Sequence, residues 1–312
     1  MKFLYYLRNV GLSFMPQSYF RWRYRRLKAQ LAQYHPQAIQ DRVDYYVKPN
    51  TEFDVSSKAV AVKNYERTGG SAYYFDLKEF LYYFEQNTRF AFHFGDETHI
   101  ESSPTLFKAR PIAGDNANSV LFKLNKHRHF RFVDDKLSFR EKRDQLVWRG
   151  GAYQPHRKRF IEAYWEHPMC NAGQTNKPVE DVPWQKEFMS ISEQLQYKFI
   201  LCIEGNDVAT NLKWAMSSNS LVIMPKPKFE TWFMEGKLEA GVHYAQIRDD
   251  YSDLEETLQY YIDHPAEAES IIAGANAYVQ QFQDEDLENL LCLMVLEKYA
   301  ALSGQKAGIL AK

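Results

Sequence analysis

Three cysteines are all this 312-residue chain has: Cys170, Cys202 and Cys292, an odd number set far apart. None sits in a CxxC or Cys/His spacing, which argues against a structural zinc site or a disulfide framework. Free thiols suit a reducing compartment. Long apolar runs are also missing. Stretches such as Leu290–Leu296 fall far short of the ~18 residues a spanning helix needs. The start does not read as a secretory signal, because Arg8 interrupts the apolar residues early and no small-residue cleavage pattern follows. A cytoplasmic protein is therefore expected. There is no GxxxxGK[ST], no GxGxxG after a strand, no HExxH and no GxSxG, so the usual P-loop, dinucleotide, zinc-protease and nucleophile-elbow readings drop out. One Asp-x-Asp occurs, Asp284-Glu285-Asp286, but it opens a predicted helix, where acids favour the N-terminus without any metal. No metal site is assigned.

Acidic residues are absent from the first 40 positions, which hold seven basic ones: Lys2, Arg8, Arg21, Arg23, Arg25, Arg26 and Lys28. The formal net charge of −1 hides this asymmetry, since the remainder carries 32 basic against 40 acidic side chains. Phe3, Tyr5, Tyr6, Phe14, Tyr19, Phe20, Trp22 and Tyr24 interleave with the charges. Three readings fit: an anionic membrane surface, nucleic acid, or a first helix whose rings pack on the body. With no second basic face, no nucleic-acid partner is expected.

Hydrophobic residues make up 45% and charged residues 25%, which excludes wholesale disorder, and the length predicts two domains. Residues 2–34 read as helical with a break near Pro16. Strand candidates follow at Ala59–Lys63, Arg89–Phe94 and Ser119–Leu124, with helices expected over Leu77–Gln86 and Lys136–Gln145. The second half is more regular. Strands are expected at Leu146–Arg149, Lys198–Ile203, Ser220–Met224 and His243–Ile247. Helices are expected at Pro155–His167, Asp207–Met216, Phe229–Gly236, Tyr251–His264, Ala266–Phe282 and Glu285–Leu302, and residues 168–184 read as loop. Short strands alternating with helices imply parallel βαβ units and a Rossmann-like sheet.

Three stretches carry chemistry. Trp148-Arg149-Gly150-Gly151 ends a strand before a helix. Ligands bind at the carboxyl ends of such strands, paired glycines let a phosphate near the backbone, and Arg157 can fork one; a plain tight turn with surface arginines also fits. Tyr197–Trp214 runs a strand into Glu204-Gly205-Asn206-Asp207. Asp207 reads as an N-cap, with Thr210, Asn211 and Lys213 on the first turns. Phe92–Pro111 places Asp96 in a loop at a strand end, as a general base or a turn residue, with Lys108 and Arg110 nearby as anion binders or solvated charges.

Together and in this order, these stretches resemble glycosyltransferase family 90. That family includes Rumi-type protein O-glucosyltransferases, fungal capsule-associated xylosyltransferases and bacterial lipopolysaccharide A protein sequences. The likeness is strongest from Tyr197 to about Gln283, covers roughly residues 90–285 and fails over the first 70 or so. It implies an α/β, GT-B-like fold of two Rossmann-like domains facing a cleft. On that reading residues 1–140 form the acceptor-side domain with the basic aromatic head. Residues 141–284 form the nucleotide-sugar domain, and 285–312 hold a helix crossing back. The resemblance further implies inverting, metal-independent transfer from a UDP-sugar, with no cofactor. Asp96 falls on the catalytic aspartate. Arg149, Gly150, Gly151, Arg157, Asn206, Asp207, Thr210, Asn211 and Lys213 fall on donor-binding stretches. Asn211 departs, standing where the animal enzymes have an arginine facing the diphosphate; either Lys213 takes over that charge or the phosphate is held differently. The implied acceptor is a glycolipid or oligosaccharide, such as lipopolysaccharide core, at the inner face of a bacterial inner membrane. Two competing classes remain: another sugar-nucleotide enzyme, hydrolase or phosphotransferase, and a non-enzymatic peripheral membrane protein.

Overall fold

A computed structural model describes residues 2–177 and 181–305. The elements begin with α1 (Lys2–Leu12), α2 (Gln17–Ala29), α3 (Pro36–Tyr46), β1 (Val60–Ala61) and α4 (Ser71–Leu81). Next come β2 (Arg89–Phe90), β3 (Thr105–Phe107), β4 (Ala109–Pro111), β5 (Ser119–Leu121) and α5 (Lys126–His129). Then follow β6 (Arg143–Gly150), α6 (Pro155–Tyr164), β7 (Cys170–Gln174), α7 (Ile191–Gln194), β8 (Tyr197–Leu201), α8 (Leu212–Met216) and β9 (Leu221–Met224). The chain ends with β10 (Phe229–Thr231), β11 (Ala245–Gln246), α9 (Leu254–Asp263), α10 (Pro265–Gln280) and α11 (Glu285–Leu302).

The chain divides into two compact units. Among the described residues, the first takes residues 2–128, Phe229–Phe233 and residues 282–305; the second takes residues 129–228 and Met234–Gln281. The first break thus falls before the 140/141 position expected from sequence.

In the first unit the strands are three residues or shorter, and the sheets have two strands each. Pro104, Pro111 and the turn residues around Gly114 punctuate them. β3 and β5 run parallel, and Phe92 bridges in parallel to Leu106, so a reduced parallel layer stands where a full Rossmann-like sheet was expected. β3 and β4 lie in a stretch, residues 95–117, that is polar in sequence. The Phe229–Gly236 helix is not formed: Phe229–Thr231 is instead β10, antiparallel to β4. Partners explain this. Glu230 accepts from Arg110 Nε at 2.7 Å, and Trp232 stacks on Tyr46 with ring centroids 3.8 Å apart. Helix α11 starts and ends as its periodicity predicts. It is buried well beyond one apolar face, however, because Glu288 also lies inside, held by Arg42, Lys123 and the Trp232 indole at 2.7 Å each.

The second unit holds a five-stranded, all-parallel sheet of order β11-β9-β8-β6-β7. Its core packs Leu146, Trp148, Phe199, Leu201, Leu221 and Ile223 against Phe160 and Ile161 of α6, Leu254 and Leu258 of α9, and Ala268 and Ile271 of α10. Two sequence readings fail here. Residues 168–184 contain β7, whose Cys-Asn-Ala-Gly-Gln lacks β-branched residues but pairs with β6 from Leu146↔Cys170 to Gly150↔Gln174. The helix expected over Lys136–Gln145 shrinks to one turn, Phe139–Glu141. Arg143 is claimed by the sheet, opposite Tyr197, and tertiary pairing overrides local propensity.

Candidate active site

Counted in chain order, β6, β7, β8, β9 and β11 lie 2-1-3-4-5 across the sheet. The order therefore reverses between β6 and β8, and ligands of doubly wound sheets bind at the carboxyl ends of the strands flanking that switch point. The two strands end in Arg149-Gly150-Gly151 and in the Cys202–Asp207 loop, so two separate sequence blocks meet there. Arg157, on the first turns of α6, joins them. Its Nη1 donates to the Gly151 carbonyl at 3.1 Å, Nη2 to Ile203 at 2.8 Å and Nε to Glu204 at 2.8 Å. Gly205 leaves room for this guanidinium; a Cβ there would sit 3.2 Å from Nη2. Gln154 adds a bond to Asn206 Oδ1 at 2.8 Å, and His156 Nε2 lies 2.8 Å from the Glu204 carbonyl.

Other expected donor residues are placed differently. Arg149 reaches along the sheet toward β7, donating to the Asn171 carbonyl at 2.7 Å and to its side-chain oxygen at 2.9 Å. Burial holds the Arg149 pKa below its ordinary value. Burial, and then the Arg149 charge, do the same to Lys186. Neither forms an ion pair among the described residues, so this corner is electropositive. The space beside the paired glycines is taken by protein: a Cβ on Gly150 would meet the Trp148 ring at 2.8 Å, and one on Gly151 the Tyr153 ring at 2.7 Å.

The helix expected from Asp207 begins only at Leu212, and Asp207 is not its N-cap. Residue 211 takes that position, and Asn211 Nδ2 donates to the Leu201 carbonyl at 2.9 Å, tying the helix to the end of β8. Asp207 is buried, and its carbonyl accepts from Gly205 N at 2.8 Å, which closes a tight turn. Thr210 is half-buried in the turn that follows. Lys213 is fully buried and hydrogen-bonds Glu235, itself only 1% exposed. The ammonium is thus engaged inside the unit rather than presented at the strand ends. A five-residue helix also offers no long dipole to a diphosphate.

In the first unit, Asp96 follows Gly95, whose φ of +132° turns the chain after Phe94. One carboxylate oxygen accepts from Tyr73 OH at 3.1 Å and from Lys108, and the other lies 4.0 Å from Arg128. Burial pushes the Asp96 carboxyl up. The Lys108 charge, the bonds from Lys108 and Tyr73, and Arg128 outweigh it, so the pKa is held below the ordinary value. Lys108 is not solvated, and Arg110 is sealed against Glu230 and the Tyr45 carbonyl. Beside Asp96, ligand atoms of His93, Glu97 and His99 lie within 4.8 Å of one another and could hold a cation; no spacing motif flagged them. The sequence's one Asp-x-Asp is used within the unit. Asp284 caps α11 through Leu287 N at 3.0 Å, and Asp286 accepts from Gln30 at 3.0 Å.

The signature of glycosyl transferase family 90 matches residues 125–310, the strand-end blocks of the second unit included. The chain belongs to this family. It is 43% identical over 307 residues to the O-glucosyltransferase LpsA of Dichelobacter nodosus, covering 96% of both chains. It is 30% identical over 123 residues to protein O-glucosyltransferase 2 of Danio rerio, covering 38% of this chain and 23% of that one. The family 90 protein is a glycosyltransferase, with a sugar donor and an acceptor as substrates. The family signature leaves the first 124 residues unmatched, in line with the expected limit of the likeness, whereas the LpsA match covers 96% of this chain and so reaches into the head. Asp96 lies outside the matched signature.

Sequence reasoning missed Gln154, His156 and Asn171 around the family 90 strand ends, and Tyr73 and Arg128 around Asp96. Their types are ordinary, and only the order of the sheet and the folding of the loops bring them to these places.

Proposed function

We propose that this family 90 protein is an inverting, metal-independent GT-B glycosyltransferase that moves a sugar from a UDP-sugar to a hydroxyl of a lipopolysaccharide-core or other surface-glycan acceptor. It works at an anionic membrane surface on the inner face of a bacterial inner membrane. The similarity to an O-glucosyltransferase, LpsA, favours a glucosyl group and an oxygen acceptor. The observation that carries the reading is the meeting of the Arg149-Gly150-Gly151 and Cys202–Asp207 blocks at the switch point, joined by Arg157.

In this mechanism Asp96 takes the proton of the acceptor hydroxyl as its oxygen attacks the anomeric carbon. The bond from that carbon to the diphosphate breaks through an oxocarbenium-like state, inverting the configuration. Asp96 is ionised at neutral pH, as a base must be, and a placed base contributes ~10²–10⁴-fold. Charge growing on the departing UDP meets fixed positive groups, Arg157 at the strand ends and the Arg149–Lys186 corner beside them. Lys213 holds the α8 segment in place and is dropped from the leaving-group set.

Titration calorimetry of the full chain with UDP in EDTA, against ADP, GDP and CDP, tests the donor; binding of UDP alone supports the reading. Binding that needs a divalent ion overturns metal independence. The Asp96→Asn variant should bind UDP as the parent does and lose transfer by at least ~10²-fold; transfer at the parent rate removes Asp96 as the base.

A further inference from the structure

Seven of the twelve large hydrophobic side chains exposed among the described residues lie in the first 22 positions: Phe3, Leu4, Leu7, Val10, Phe14, Met15 and Trp22. Helix α1 is inside out. At 100° per residue Phe3, Leu7 and Val10 form one stripe, and that stripe faces solvent, with Phe3 76% and Leu7 56% exposed. Its inner face is the polar one. Tyr5 OH donates to buried Asp76 at 2.6 Å, Tyr6 OH lies 2.8 Å from Ser71 Oγ, and Arg8 Nη2 donates to Glu79 at 2.8 Å. The orientation is fixed by these bonds to α4, so the outward stripe is not a helix that failed to dock. Burying Phe3 and Leu7 against the body would have required giving up the Tyr5 and Arg8 bonds to the buried Asp76 and Glu79.

The next helix supplies charge. α2 buries Phe20, Tyr24 and Leu27 and turns Arg21, Arg25 and Lys28 outward along one line, with Trp22 beside them. Arg21 and Arg25 make no ion pair among the described residues. Exposed apolar residues on a helix bolted flat to the body, followed by unpaired cations and an exposed indole, match an anionic lipid leaflet better than a protein groove. Lipid offers apolar depth and negative headgroups in the same plane.

We infer that the outer face of α1, with the Arg21/Arg25 edge of α2, docks on a bilayer surface carrying anionic lipid, and that α1 lies in the interface without crossing it. α1 spans only 11 residues, and no described helix is long and apolar enough to cross a membrane. The inference deepens the membrane element of the proposed function by naming the face, but bilayer docking itself requires neither nucleotide nor sugar.

The test is flotation of the full chain with vesicles of phosphatidylcholine alone or with phosphatidylglycerol added. The wild type should bind the anionic vesicles, more weakly as salt rises. The triple variant Phe3→Ser, Leu7→Ser, Phe14→Ser should bind at least about tenfold more weakly. Arg21→Glu with Arg25→Glu should lose most of the preference for phosphatidylglycerol. These side chains are exposed, so both variants should keep the parental unfolding midpoint and UDP affinity. Wild-type protein that stays off anionic vesicles, or a triple variant that binds them as well as wild type, overturns the inference. So does a concentration-dependent dimer, seen by light scattering, that the triple variant dissolves: the stripe would then belong to a second copy. Vesicle binding without UDP binding would leave the docking face standing and sink the enzyme mechanism; UDP-dependent transfer without vesicle binding would do the reverse.

Discussion

Replacing Lys213 by Met separates a charge that holds the fold from a charge that holds the ligand. Lys213 is 0% and Glu235 1% exposed, so both groups have been taken fully out of water and answer each other. Removing the ammonium leaves a carboxylate buried beside a thioether. Breaking a buried pair from one side costs about 3–5 kcal/mol. With a urea slope of about 2 kcal/mol per molar, the midpoint should fall by roughly 2 M. Removing both partners, as Lys213→Met with Glu235→Leu, takes out the pair together and should recover most of the loss. Tryptophan fluorescence suits the measurement, because Trp148, Trp165, Trp184 and Trp214 all lie in the second unit. UDP titration of the double variant then decides. Affinity within a few-fold of the parent is expected. A single variant that unfolds at the parental midpoint while UDP affinity drops tenfold or more would refute the argument and return Lys213 to the diphosphate.

Two further predictions concern Asp96 and Gly274. Because the Asp96 pKa is held below its ordinary value, the acid limb of kcat/KM should lie below the usual aspartate range. Lys108→Met should move that limb upward, and an unmoved limb would mean another group titrates. The stability sign follows: a depressed carboxyl stabilises the fold above its unfolded pKa and loses that contribution as pH falls through the folded value. In α10, a Cβ on Gly274 would lie 2.2 Å from the Val242 carbonyl oxygen, so Gly274→Ala should cost about 1–3 kcal/mol despite its better helix propensity. Gly11→Ala in α1 meets nothing within 4 Å and should stabilise by up to about 1 kcal/mol. Equal effects at the two sites, by urea unfolding, would contradict the close packing of α10 on the 242 turn.

Elements whose signals are local are legible in the linear chain. The break at Pro16 and the full extent of α11 follow from periodicity, and the acids of Asp284-Glu285-Asp286 mark its N-terminus. The order of the strand-end blocks, which carry the family likeness, is legible there too. Whatever depends on a partner distant in the chain emerges only on folding. β7 lacks strand-forming residues and exists because β6 offers it a ladder. Phe229–Thr231 became a strand because Arg110, Tyr46 and Glu288 wait for Glu230 and Trp232. Asp207 and Lys213 resemble a cap and a donor-site cation in the linear chain. The late start of α8 and the buried Glu235 gave them interior roles. The aromatic head likewise has helical periodicity either way. Only the bonds from Tyr5 and Arg8 to Asp76 and Glu79 determine which side of α1 faces outward, because side chains at a fixed period specify a stripe but not the surface it meets.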